Sequence, residues 1–305
     1  MIVEDYALNG ILPLWKPKGM TSHDCVVRVR KLFSMKKVGH TGTLDPEVEG
    51  VLPICLGQGT KIVPFLTDTK KTYVAEIMLG TATETEDKEG RVISEKEVVN
   101  PPKEEEIKKV LHSFEGKITQ IPPMYSAVKV NGKKLYEYAR NNEEVERPKR
   151  EVTIHEIKHL SSKKNNNRII KMKVICSKGT YIRTLCADIG KALGYPAHMY
   201  SLVRLATGSL DKKDTYTFDT IEEAVKQNKQ NELLLPILKG LSHLDTLSVN
   251  QESKWKVLNG QKLAKPEHIT SKEPFTVVYH EQLLAIYQIH PEHSDEIKPV
   301  RVFNS

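Results

Sequence analysis

Gly39-His40-Thr41-Gly42-Thr43-Leu44-Asp45-Pro46, followed at a short distance by Gly50, places one acidic side chain on a segment that cannot continue as regular helix. Two glycines within four residues let the backbone take positive φ and approach another molecule closely, and Pro46 fixes φ just after Asp45. Taken alone, the stretch reads either as a tight turn whose Asp caps the next element or as a carboxylate held outward on a loop.

The flanking sequence gives this loop a framework. Ile11-Leu12-Pro13-Leu14-Trp15 reads as a short buried strand, and Lys16-Pro17-Lys18-Gly19-Met20 turns the chain. Thr21 or Ser22 can then cap a helix through Val26, Val27, Val29 and Leu32. Behind the loop comes the apolar run Val51 to Leu56. The Gly57-Gln58-Gly59-Thr60-Lys61 turn that follows lacks the spacing of a nucleotide phosphate loop and reads as a helix start.

Further along, Thr72 to Leu79 alternates as a strand, Thr81 to Arg91 reads as a polar acidic loop, and Lys103 to Phe114 has the spacing of a packing helix. Tyr125 to Arg150 is charged, aromatic and turn-rich, the composition of a lysine-rich hairpin or excursion. Strands are expected around Val152 to Leu160 and Ile169 to Cys176, separated by a polar turn over Ser161 to Asn167. Helices are expected over Thr184 to Leu193, ended by Gly194, and over Ile221 to Asn228. From Thr246 the pattern becomes short strands, near Phe275 to Tyr279, Leu283 to Ile289 and Val300 to Phe303, after a short amphipathic segment through Trp255. The fold class expected is mixed α/β, with a larger body over 1–245, a basic insertion at about 125–150, and a small β-rich unit over 246–305.

With 46 Lys and Arg against 39 Asp and Glu, the chain of 305 residues carries a net charge of +7, which favours polyanionic partners. The excess lies in the larger part: Lys16 to Lys37 holds seven basic residues and one acidic, whereas Thr246 to Ser305 holds seven of each. Four cysteines, Cys25, Cys55, Cys176 and Cys186, form no Cys-x-x-Cys pair, so neither a zinc knuckle nor a disulfide framework is expected. Glu4 and Asp5 stand where a secretory signal would be basic, and no apolar stretch of membrane-spanning length follows, so a cytoplasmic protein is expected.

An Asp on a glycine loop, Tyr73 after Lys70-Lys71, and Tyr181-Ile182-Arg183 after Gly179 are together compatible with a nucleic-acid site, since aromatics stack bases and arginines pair with carboxylates or phosphates. Those residues alone do not choose a reaction. The Gly39 to Pro46 block, with Gly50-Val51-Leu52-Pro53 behind it, resembles the signature of the TruB family of bacterial tRNA pseudouridine synthases. Three more blocks fit the same family in order: Lys16 to Ser22, Pro123 to Lys129 with Gly132, and Ser177 to Arg183 with Asp188-Ile189-Gly190. The tail from Leu258-Asn259-Gly260-Gln261 to Pro299 through Phe303 is similar to a PUA domain, an RNA-binding module.

The resemblance implies a pseudouridine synthase fold, with a central mixed, largely antiparallel sheet, and isomerisation of the T-loop uridine at tRNA position 55 without cofactor or metal. It assigns catalysis to Asp45, Arg183 and Tyr73, and substrate contacts to His40, Tyr181, Leu202, Lys16 and Lys129. A guanidinium fork from Arg183 would orient Asp45 and favour its ionised form. Tyr73 would stack on the target base, Tyr181 would pack beside it, and His40 would fill the gap left when the nucleotide is flipped out. The partner implied is the T arm of tRNA, met by a monomer with no membrane association. A second reading, in which RNA binding or folding is itself the function, has no need of a carboxylate facing a polyanion.

Overall fold

A computed structural model describes residues 8–160 and 168–303, so the expected turn over Ser161 to Asn167 lies outside the described residues. Its centre is a nine-stranded sheet. Seven strands run in the order Gly10–Lys16, Glu49–Leu56, Ala197–Thr207, Lys71–Leu79, Ile169–Cys176, Arg150–Leu160 and Gly116–Gln120. Two short strands attach, Val38–His40 to Glu49–Leu56 and Leu210–Asp211 to Ala197–Thr207. Every pairing is antiparallel except that of Ala197–Thr207 with Glu49–Leu56, where Val203 faces Glu49 and Arg204 faces Gly50. The mixed, largely antiparallel sheet expected from the resemblance is therefore present.

Local chemistry accounts for most boundaries. The helix Ser22–Leu32 starts at Thr21, whose side chain accepts from the Asp24 nitrogen while Asp24 reaches back to Thr21, a closed capping box. Ile182–Ala192 buries Ile182, Leu185, Cys186 and Ile189 against the sheet. All four cysteines are buried free thiols, and desolvation pushes Cys176 up to about 11.

Three expectations change. Ala197–Thr207, an interior strand between Glu49–Leu56 and Lys71–Leu79, was not expected: two register shifts and the polar residues His198, Ser201 and Arg204 erase a clean alternation. Within Thr81 to Arg91, expected as loop, Thr81–Thr83 pairs with Val92–Glu95. The basic excursion holds a two-stranded hairpin, Lys129–Val130 with Lys133–Lys134, and also an unexpected helix, Leu135–Arg140.

A second, five-stranded sheet occupies the C-terminal part in the order Thr246–Ser248, Phe275–Tyr279, Gln282–Ile289, Glu296–Val302 and Leu263–Ala264. It closes over Val257 of the helix Gln251–Leu258 with Phe275, Tyr287 and Ile297. Ile286 and Phe303 pack into a cluster with Ile11, Val51, Ile62 and Leu66 of the main body, and Lys61 Nζ donates to the Val302 carbonyl at 2.5 Å. The two sheets are thus joined through a shared apolar contact.

Candidate active site

The loop that bears Asp45 is fixed from beneath. Lys16 is fully buried, and its Nζ donates to the carbonyls of Pro17 at 2.9 Å, Pro46 at 2.9 Å and Val48 at 2.7 Å. Its expected place among the substrate contacts is therefore corrected: with all three ammonium protons engaged by carbonyls around Asp45, it braces the loop. Ser22, also buried, accepts from the Leu44 nitrogen at 2.9 Å. Gly50 sits at φ +136, and a Cβ there would lie 2.7 Å from the Arg204 nitrogen and closer still to its carbonyl oxygen. Only glycine lets the loop return onto Ala197–Thr207 so tightly.

Braced in this way, the Asp45 side chain remains 44% exposed and meets a guanidinium that is 9% exposed, with Arg183 Nε 3.2 Å from Asp45 Oδ2. Arg183 reaches this point because it lies in the first turn of the helix Ile182–Ala192, after the turn at Gly179. Its other nitrogens are occupied as well: Nη1 donates to Thr85 O at 3.1 Å and lies 3.6 Å from Asp87 Oδ2, and Nη2 donates to Tyr125 O at 3.0 Å. A guanidinium held at four points leaves Nε no freedom, so the positive group beside Asp45 Oδ2 is fixed in place by the protein.

The second wall comes from the sheet. Tyr73, on Lys71–Leu79, and Arg204, on Ala197–Thr207, face each other in register. Burial pushes the Tyr73 hydroxyl up, with Arg204 opposing, so at neutral pH the phenol keeps its proton. Arg204 is 1% exposed and donates to Val51 O at 2.8 Å and Gly42 O at 3.2 Å. Lys71 Nζ donates to Thr67 O and Thr69 O, and burial, followed by the field of Arg204, pushes it down to about 8.

These walls enclose a cleft of about 460 Å³ lined by Asp45, Tyr73, Tyr181, Arg183, Leu202 and Arg204, with Lys71, Tyr125 and Tyr136 at its borders. A nucleoside fits such a volume. Asp45, Arg183, Tyr73, Tyr181 and Leu202 are thus brought together. His40 and Lys129 are not: His40 ends the strand Val38–His40 outside the cleft lining, its imidazole pushed down by burial, and Lys129 is exposed on the hairpin of the excursion.

Arg204, Lys71 and the Thr85-Glu86-Asp87 segment were missed in the sequence. Arg204 had a signal, as a lone cation inside the apolar run Leu202-Val203-Arg204-Leu205-Ala206. Glu86 holds φ at +62 and accepts from Thr184 Oγ1 at 2.7 Å, which fixes the turn that delivers Thr85 and Asp87 to Arg183.

The sequence matches the model of the TruB family pseudouridylate synthase N-terminal domain over residues 30–182, and that of the tRNA pseudouridylate synthase B C-terminal domain over 183–244. Fold and site together define a pseudouridylate synthase, an isomerase. In fold, the whole chain overlays 86% of a chain in a Cbf5-Nop10-Gar1 complex with TM-score 0.76 and 27% identity. It is 59% identical to the tRNA pseudouridine synthase B of Oceanobacillus iheyensis over 97% of this chain and 98% of that one. The enzymes of the same name from Bacillus licheniformis and Staphylococcus aureus are 50% and 48% identical, each covered over at least 97% of its own length. The chain belongs to the TruB family.

Proposed function

We propose that this enzyme converts the T-loop uridine at tRNA position 55 to pseudouridine. The observation that carries the reading is the half-exposed Asp45 carboxylate, fixed by a buried guanidinium at the wall of a cleft the size of a nucleoside. The conversion breaks the N1–C1′ bond, joins C1′ to C5 of the same base, removes the C5 proton and leaves one on N1. Atoms and electrons balance within the nucleotide, so the reaction calls for no redox cofactor.

A base stacked in a T loop cannot reach Asp45, so the nucleotide must leave the stack, at a cost of a few kcal/mol. Tyr73 supplies the face on which the extruded base rests, Tyr181 and Leu202 close its sides, and the Asp45 carboxyl group meets the reacting nucleoside. His40, on the strand that leads into the loop, takes the place the base vacates. The excursion over 125–150 closes on the T arm, with Lys129 and Arg150 as phosphate contacts, and Arg150 already lies over the Tyr181 ring at 5.8 Å. The division of the chain after residue 245, with 246–305 as a PUA-like RNA-binding unit, belongs to the same reading, as do a monomeric state, independence of metal ions and a cytoplasmic location.

The test is tritium release from C5-labelled uridine in an unmodified tRNA transcript, with the product mapped along the RNA. Modification at the T-loop uridine alone is expected. Release without modification there, or modification spread over other loops, overturns the assignment.

A further inference from the structure

A hydroxyl buried in a protein finds a partner as a rule, because an unpaired one has lost its water and gained nothing. Ser126 breaks the rule: the residue is 6% exposed, and its Oγ is shielded from solvent with no hydrogen-bond partner in the protein. Five other residues among those described carry a buried side-chain atom in the same condition, namely Arg30, His40, Thr41, Gln230 and Glu296. None of these five lines the cleft that holds Asp45, and Ser126 does.

The backbone around Ser126 is held on both sides. Arg183 Nη2 donates to the Tyr125 carbonyl at 3.0 Å, and the Tyr136 nitrogen donates to the Ser126 carbonyl at 3.1 Å. Nη2 belongs to the same rigid, planar guanidinium whose Nε lies 3.2 Å from Asp45 Oδ2. The Tyr125 carbonyl and the Asp45 carboxylate are therefore neighbours around one cation, and Ser126 directly follows that carbonyl. A serine hydroxyl moves between staggered wells by rotation about χ1 alone, so a ligand in the cleft can recruit it without displacing the braced backbone.

The reaction indicates which part of the nucleotide this hydroxyl serves. Uracil must turn between its N1 and C5 attachments, so a contact to the base edge made before the turn is broken after it, whereas the ribose keeps its place beside Asp45 throughout. The hydroxyl of that ribose nearest to the reacting C1′ is the 2′-hydroxyl, which both donates and accepts, as a serine hydroxyl does. We infer that Ser126 Oγ hydrogen-bonds the 2′-hydroxyl of the target nucleotide, holding the sugar beside Asp45 and distinguishing ribose from deoxyribose at that one position. This rests on the reading of the cleft as the uridine site.

The experiment uses the full chain carrying Asp45→Asn, so that bound RNA is not turned over, with and without Ser126→Ala. Affinity is measured by filter binding to two T-arm stem-loops that differ in one atom, with uridine or 2′-deoxyuridine at the target. Either change alone is expected to weaken binding about 2- to 12-fold, the range that one hydrogen bond produces, and the two together no more than the larger of them. A thermal melt separates this contact from a structural role: loss of an unpaired hydroxyl leaves Ser126→Ala at least as stable as its parent. Unchanged affinity of Ser126→Ala for the uridine RNA, an equal Ser126→Ala loss on both RNAs, or a lowered Tm overturns the contact. A T-loop uridine left unmodified by the wild-type protein would instead sink the uridine assignment, so the two failures are distinguishable.

Discussion

Replacing Arg183 by Lys keeps the charge and removes the fork. The guanidinium now serves Asp45, Thr85 O, Asp87 and Tyr125 O from three nitrogens at fixed angles. One ammonium on an unforked stem cannot span them, so two of these acceptors lose their partner. At the lower end of the cost of an orphaned polar group, about 1 kcal/mol each because the cleft admits water, stability falls by about 2 kcal/mol. For a chain of 305 residues, at about 2.1 cal/mol/K of unfolding entropy per residue, that lowers Tm by about 3 °C. Catalysis suffers more, because a carboxylate displaced by about 1 Å costs roughly 10²-fold and loss of a fixed charged donor roughly 10² to 10³-fold. The assay is single-turnover tritium release at saturating RNA, at a temperature where thermal melts show the variant folded. A rate within three-fold of wild type, by Arg183→Lys, would refute the claim that the fork sets Asp45.

The same geometry sets outcomes at three other residues. Lys71 is pushed down to about 8, so the cleft loses a positive charge as pH rises through that value; RNA affinity is expected to fall a few-fold between pH 7.5 and 9, and the step should be absent in Lys71→Met. Because its folded pKa lies below its unfolded one, the unfolded chain holds more protons between those values, and wild-type stability relative to Lys71→Met should rise with pH across that window, as urea titrations would show. Gly50→Ala drives a Cβ into the Arg204 backbone at φ +136, and should cost about 2 to 4 kcal/mol by denaturant unfolding. Lys16→Met orphans three carbonyls around Asp45; it should lower stability by about 2 to 4 kcal/mol and slow tritium release, while leaving RNA affinity within two-fold, because the ammonium never faces solvent.

The Asp45 loop and its helix were legible because local chemistry specifies them: glycines, a proline and the Thr21–Asp24 capping box act within a few residues. The strand carrying Tyr73 was legible because its burial alternates residue by residue. Ala197–Thr207 was not, since a strand that is interrupted twice and carries a buried arginine is stabilised by neighbours far away in sequence. Arg204 contacts residues about 150 and 160 positions earlier, Val51 and Gly42, and no local pattern encodes such a pairing. Lys16 misled for the complementary reason. The resemblance places it among the substrate contacts, and only the tertiary structure shows its ammonium spent on three carbonyls. Thr81 to Arg91 reads in the sequence as a polar acidic loop, although its Thr85 and Asp87 complete the cage around Arg183.

The chemistry assigned to one carboxylate is tested most directly by Asp45→Asn, in which size and hydrogen-bonding shape persist and the negative charge is gone. Affinity for a T-arm stem-loop and single-turnover tritium release should be measured on the same preparation. Affinity within about three-fold of wild type together with release slowed by at least about 10³-fold is the expected pair of results. Release at a rate comparable to wild type would contradict the assignment of Asp45.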